Sequence, residues 1–195
     1  MISSFRLSDP GSLQAIDPSI LEYLRSYRLP LPPAARYGFS RFASPQEKYQ
    51  VLLHSQAWVP SHANGTVLLL HGYSEHSANY ARLIRDLVEA QLAVITLDFR
   101  GHGLSEGPSG HVPFSHTYAE DAETVLGQIF PATLPNRPLF VFGHSMGAMI
   151  AGIYAGVRPA RIARLSLVEG FGLNATRPAE APGRYARWLR EGAHA

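Results

Sequence analysis

A chain of 195 residues with 46% hydrophobic content is long enough to bury one core, and a charged content of only 16% suits parallel strands covered on both faces. It has no cysteine, which excludes disulfides and thiolate metal sites, and its nine histidines show no metal-ligand spacing with carboxylates, so neither metal nor cofactor is expected. The formal charge of +2 arises from arginines scattered among apolar and proline residues late in the chain, without a nucleic-acid-binding signature, so nucleic acid is not an expected partner.

Residues 1–36 are polar and rich in proline, with one helix expected between Pro18 and Arg28 carrying Ile20, Leu21 and Leu24 on one face. Phe39 to Ala43 and Tyr49 to Val59 read as an entry hairpin broken by Ser44-Pro45-Gln46. Strands and helices then alternate: strand 66–70, helix 78–90, strand 93–97, helix 117–130, strand 139–142, helix 146–157, strand 165–168. The helix over 78–90 places Tyr80, Leu83, Ile84, Leu87 and Val88 on one face. The helix over 117–130 opens on Thr117-Tyr118-Ala119-Glu120, a capping-box pattern, and directs Tyr118, Ala122, Val125, Leu126 and Ile129 inward. Alternation of this kind predicts an α/β fold with a doubly wound, mainly parallel sheet.

Three motifs follow the predicted strands. Gly143-His144-Ser145-Met146-Gly147 lies between the apolar run Leu139-Phe140-Val141-Phe142 and a helical pattern of Met149, Ile150, Ile153, Tyr154 and Val157. Strand, sharp turn and helix make this a nucleophile elbow, in which a strained serine needs small neighbours two residues away on each side. His71-Gly72-Tyr73-Ser74-Glu75-His76 follows the strand over 66–70. An acyl-transfer site needs two preorganised donors for the tetrahedral oxyanion. The N–H of Met146, at a helix start, is one expected donor, and the N–H of Tyr73 is the other. His71 reads as a structural histidine bonded to backbone. The third motif, Asp98-Phe99-Arg100-Gly101-His102-Gly103-Leu104-Ser105-Glu106-Gly107, reads as a scaffold loop at the carboxyl edge of the sheet.

Together these residues resemble the α/β-hydrolase superfamily, and within it the monoacylglycerol lipase and lysophospholipase branch. The likeness covers roughly residues 40 to 155, and its most specific part is His71-Gly72-Tyr73-Ser74-Glu75-His76-Ser77-Ala78-Asn79-Tyr80. The resemblance implies a serine carboxylesterase acting on a small-molecule or lipid ester, with Ser145 as nucleophile and Tyr73 and Met146 as backbone oxyanion donors. It also implies one domain over 1–195: an N-terminal extension over 1–36, a core over 37–168, and the start of a cap-like segment over 169–195.

The family completes its triad with an aspartate and a histidine well beyond the nucleophile, and here the chain departs from the pattern. After Ser145 there is no aspartate, and the carboxylates are Glu169, Glu180 and Glu191. Glu169 ends the strand over 165–168, where some α/β hydrolases carry their acid; it reads equally as a strand-end carboxylate bonded to loop amides. His194, in Gly192-Ala193-His194-Ala195, reads as part of a frayed terminus. Composition shifts at the same place. Residues 1–145 hold ten Lys and Arg against twelve Asp and Glu, whereas residues 146–195 hold seven arginines against three glutamates. This later stretch is similar to serine-hydrolase-like proteins, as either a join of two hydrolase genes near the shared elbow followed by truncation or the divergence of a single gene would produce.

Two functional classes follow: a serine esterase, or a catalytically incomplete hydrolase domain that binds acyl ligands. No run of about eighteen apolar residues predicts a transmembrane span, which leaves peripheral membrane contact as the expected membrane association. The first residues, Met1 to Arg6, lack the pattern of a signal peptide, so a cytoplasmic location is expected. The apolar strand over 165–168 is expected at a sheet edge, where Phe171, Leu173, Tyr185, Trp188 and Leu189 cover it only in part, with self-association the result.

Overall fold

The computed structural model describes residues 7, 16–31, 34–45, 50–109, 115–133 and 136–168. The entry hairpin is β1 (Arg36–Ala43) and β2 (Leu52–Val59), antiparallel from Arg36 opposite Val59 to Ala43 opposite Leu52. β2 also pairs antiparallel with β4 (Leu92–Leu97). β3 (Gly65–Leu70) lies parallel to β4 on one side and to β5 (Leu139–His144) on the other. β6 (Arg164–Val168) extends the parallel set beyond β5, which gives the six-stranded order β1-β2-β4-β3-β5-β6. β3 and β4 are buried at every position, as continuous apolar runs must be when helices cover both faces of a sheet.

The period of two along β3 divides the core. Leu68 and Leu70 face α3 (Ser115–Thr133) and α4 (Met146–Val157), packing with Ala122, Val125, Ile129, Ile150 and Tyr154. Val67 and Leu69 face the opposite layer, α1 (Pro18–Ser26) and α2 (Ala81–Glu89), and pack with Leu24, Ile84, Leu87 and Val88. α1 starts where Asp17 accepts the Ser19 N–H at 2.8 Å and Pro18 takes the first helical position, whose N–H would have no partner in any case. A short 3-10 turn, Ser77–Tyr80, leads into α2.

Three local expectations need correction. The capping pattern at Thr117 does not start the helix. α3 begins at Ser115, so Thr117 lies inside it, fully buried, with its hydroxyl unpartnered among the described residues. The buried face of Tyr118, Ala122, Val125 and Ile129 sets the path of the chain there, and packing outweighs a cap worth about 1 kcal/mol. The same helix runs past Pro131 to Thr133, beyond the expected stop at 130. Val157, on the expected inward pattern of α4, is 60% exposed, because the helix ends there beyond the layer that covers Ile150 and Tyr154. β6 is the outermost strand of the described sheet, and all five of its residues are partly exposed.

Candidate active site

Ser145 joins β5 to α4 with φ 52° and ψ −116°, a backbone conformation that costs an L-residue free energy and persists only where its surroundings impose it. Those surroundings are backbone. A Cβ at position 143 would lie 2.3 Å from the Gly147 carbonyl oxygen, and one at 147 would lie 2.2 Å from the Leu70 oxygen and 2.6 Å from the His71 oxygen. Glycine is therefore required on both sides of the serine. The Ser145 N–H donates to the Val168 carbonyl at 2.8 Å, which anchors the turn to β6. Its carbonyl accepts from Ala148 and Met149 N–H, which starts α4 with Met146 as the first helical residue. The positive end of the helix dipole thus lies beside the serine.

The loop after β3 runs alongside. Its tight turn bonds Glu75 N–H to the Gly72 carbonyl, with Ser74 at φ 62°. The Glu75 carboxylate folds back on its own loop: Oε2 accepts the Gly72 N–H at 2.8 Å and the Tyr80 hydroxyl. It also meets His144 Nδ1 at 3.1 Å, and the Tyr80 oxygen lies 2.8 Å from the same nitrogen. Since the carboxylate can only accept and the Tyr80 proton goes to it, His144 Nδ1 carries the proton in this arrangement. Burial alone would raise the Glu75 pKa, but hydrogen bonds from Tyr80, Gly72 and His144 outweigh it and hold the carboxyl below its ordinary range. His144 is thus turned toward the β3 loop. Tyr73 is 58% exposed, and its ring stands edge-on to His102 with centroids 5.6 Å apart. Neither the Tyr73 N–H nor the Met146 N–H takes part in a loop, turn or capping hydrogen bond among the described residues.

His71 is wholly buried. Its Nε2 accepts the Phe99 N–H at 3.0 Å, so Nδ1 carries the proton and donates to the Gly72 carbonyl at 2.7 Å. Burial pushes its pKa down to about 4, and the ring is a neutral structural bridge between two loops.

The third motif satisfies itself. Asp98 is fully buried and accepts Ser77 N–H at 2.8 Å and Leu104 N–H at 2.9 Å. Arg100 makes a two-pronged pair with Asp121 of α3, both contacts 2.7 Å and both side chains buried. His102 Nδ1 lies 3.0 Å from the Arg100 carbonyl. This loop braces the site from below and presents no free carboxylate to it. Among the described residues there is no group of histidines and carboxylates suited to a metal ion.

Ser145 and Met146 thus lie in the turn after β5, and Tyr73 in the loop after β3, at the carboxyl ends of neighbouring parallel strands. Glu169 and His194 lie outside the described residues, as do Phe171 to Leu189. The bridge from Glu75 and Tyr80 to His144 was not foreseen. Its signal was present in the spacing Gly72, Glu75, Tyr80, but the partner across the sheet is not readable from local sequence.

Residues 61–190 match the family model described as "Serine aminopeptidase, S33", and the matched span includes both sides of the composition change after Ser145. The chain is 36% identical over 111 residues to the monoacylglycerol lipase of Mycolicibacterium smegmatis, a match covering 56% of this chain and 39% of that protein. It is 31% identical over 121 residues to a serine hydrolase-like protein of Danio rerio, covering 62% of this chain and 35% of the relative. The chain therefore spans well under half the length of these relatives. Among solved structures, a thermostable carboxyl esterase from Bacillus coagulans superimposes with a TM-score of 0.57 at 33% identity, over 66% of this chain and 43% of that one. No helix among the described residues is long and apolar enough to cross a membrane. The six-stranded order, the strained serine between β5 and α4, and these matches have one common meaning: the chain belongs to the serine aminopeptidase S33 family and has the α/β-hydrolase fold.

Proposed function

We propose that this protein hydrolyses carboxyl esters of the monoacylglycerol or lysophospholipid type through an acyl-enzyme on Ser145. The observation that carries the reading is the strained Ser145 at φ 52°, held between glycines at the start of α4. In the proposed reaction Ser145 Oγ attacks the ester carbonyl carbon as its proton passes to a base. The carbonyl oxygen becomes an oxyanion that the N–H groups of Tyr73 and Met146 receive. Collapse of the intermediate breaks the bond to the alcohol, which leaves with a proton, and the acyl group stays on Ser145. Water then attacks the acyl carbon, releasing the carboxylic acid and restoring the serine hydroxyl. Glu169 is proposed as the triad acid, a carboxylate that follows β6 directly in sequence. The proposed location is the cytoplasm, with substrate met at a lipid surface, and the outer strand β6 is the proposed route of self-association.

A fluorophosphonate probe tests this directly, because serine displaces fluoride at phosphorus in a site that stabilises a similar anion. The expected result is a single adduct mapped by mass spectrometry to Ser145 and absent from Ser145→Ala. Adducts elsewhere with Ser145 unmodified would refute it. A folded protein with no adduct would favour the acyl-binding alternative.

A further inference from the structure

We propose that Glu75 is a positioning residue that sets the oxyanion donors, by joining the loop after β3 to the residue beside Ser145; the inference rests on the functional reading above. β3 and β5 are held in register by their ladder only as far as Leu70 opposite Gly143. Beyond that pair the β3 chain runs into the loop that carries Tyr73 and the β5 chain into the turn that carries Met146, with no ladder pairing across the divide. Glu75 spans it. One carboxylate oxygen accepts the Gly72 N–H at 2.8 Å, which fixes the His71–Gly72 peptide, one unit before the peptide that carries the Tyr73 N–H. The same oxygen meets His144 Nδ1 at 3.1 Å, next to Ser145 in the chain. Tyr80 closes the cluster: its hydroxyl donates to Glu75, lies 2.8 Å from His144 Nδ1 and accepts Gly72 N–H at 3.3 Å.

Magnitudes separate this role from a purely structural one. The Glu75 and His144 side chains are 33% and 25% exposed, where water screens part of what a polar contact contributes to stability. One oxyanion donor, by contrast, is worth about 10²–10³ in rate, and a misplacement of about 1 Å costs about 10²-fold. The bridge should therefore matter far more to reactivity than to folding.

The experiment is fluorophosphonate labelling of the whole chain at several probe concentrations, which separates the rate of bond formation from probe affinity. Glu75→Gln keeps the size and an acceptor for Gly72 but removes the charge. It is expected to lower the bond-forming rate by about 10- to 100-fold, with affinity within about twofold and melting temperature within about 4 °C of the parent. Tyr80→Phe should give a smaller loss. The double variant should match Glu75→Gln, because groups acting as one unit are not additive. Unchanged labelling by Glu75→Gln, or a loss that tracks melting temperature, would overturn the proposal. Amide NMR provides the independent arm: Glu75→Gln should shift the Tyr73 and Met146 N–H signals. Stationary signals overturn the positioning role even if the parent labels well. Shifted signals in a parent that does not label Ser145 leave the positioning role standing and refute the hydrolase reading instead.

Discussion

Two glycine-bearing loops leave the carboxyl edge of the same sheet from neighbouring strands, and they do opposite things with their polar groups. The loop after β4 turns inward. Asp98 is spent on backbone N–H groups, Arg100 on Asp121, and Gly101, Gly103 and Gly107 take its positive-φ positions. The loop after β3 stays partly exposed, points its carboxylate across the sheet at His144, and puts a serine, Ser74, at φ 62°. In sequence both read as polar loops at a ligand-binding edge. Burial makes the difference: a buried polar group left unpaired costs about 1–3 kcal/mol, so the buried Asp98 and Arg100 must be paired within the fold, while the part-exposed Glu75 is under less of that demand. The first loop ties its buried charges into the fold, and the second directs its carboxylate at the neighbouring strand.

The comparison breaks most readily at the Arg100–Asp121 pair. Asp121→Ala removes the carboxylate that accepts two buried guanidinium hydrogen bonds, and denaturant unfolding should show a loss of about 3 kcal/mol. A loss below about 1 kcal/mol would mean that the β4 loop is not the brace described here. Buried histidines give the next effect. His71 and His54 are buried, which lowers the pKa of each from 6.5 to about 4. Between those values the unfolded chain binds protons that the folded chain does not, so stability is complete above about pH 6.5 and falls as pH drops toward 4. The loss is on the order of 3 kcal/mol per histidine. Unfolding at pH 7, 5.5 and 4.5 reads it, and His71→Asn, which keeps a donor and an acceptor, should flatten the profile. The smallest effect sharpens the contrast in backbone strain. Ser74→Gly relieves a left-handed residue in the β3 loop and should stabilise by about 1 kcal/mol or less. Gly103→Ala in the β4 loop should destabilise by more, because its Cβ would lie 2.3 Å from Asp98 Oδ2.

Much of this was legible from residues alone. The strands over 66–70, 93–97, 139–142 and 165–168 match β3, β4, β5 and β6 to within two residues at every end. Continuous apolar runs bounded by turn residues have few other uses. Tyr118, Ala122, Val125 and Ile129 are buried as expected from their spacing. The failures have a common form. Thr117 carries a local capping signal that the packing of α3 overrides, and Val157 fits a helical stripe that outlasts the layer covering it. Local pattern names an element but does not say where its neighbour stops.

Sequence by itself determined the order and kind of elements, and it determined that Ser145 would be strained, because Gly143 and Gly147 act on the serine through sterics that reach only a few residues. It also singled out His71 as structural. Tertiary structure alone decided which polar groups meet. Glu75 and His144 are brought together only because β3 and β5 pair in parallel, with Leu70 opposite Gly143. Asp98 is withdrawn from the site only because Ser77 and Leu104 present their N–H groups to it. Such contacts depend on register between distant strands, which local propensity does not encode, and a shift of one residue would send every side chain to the other face.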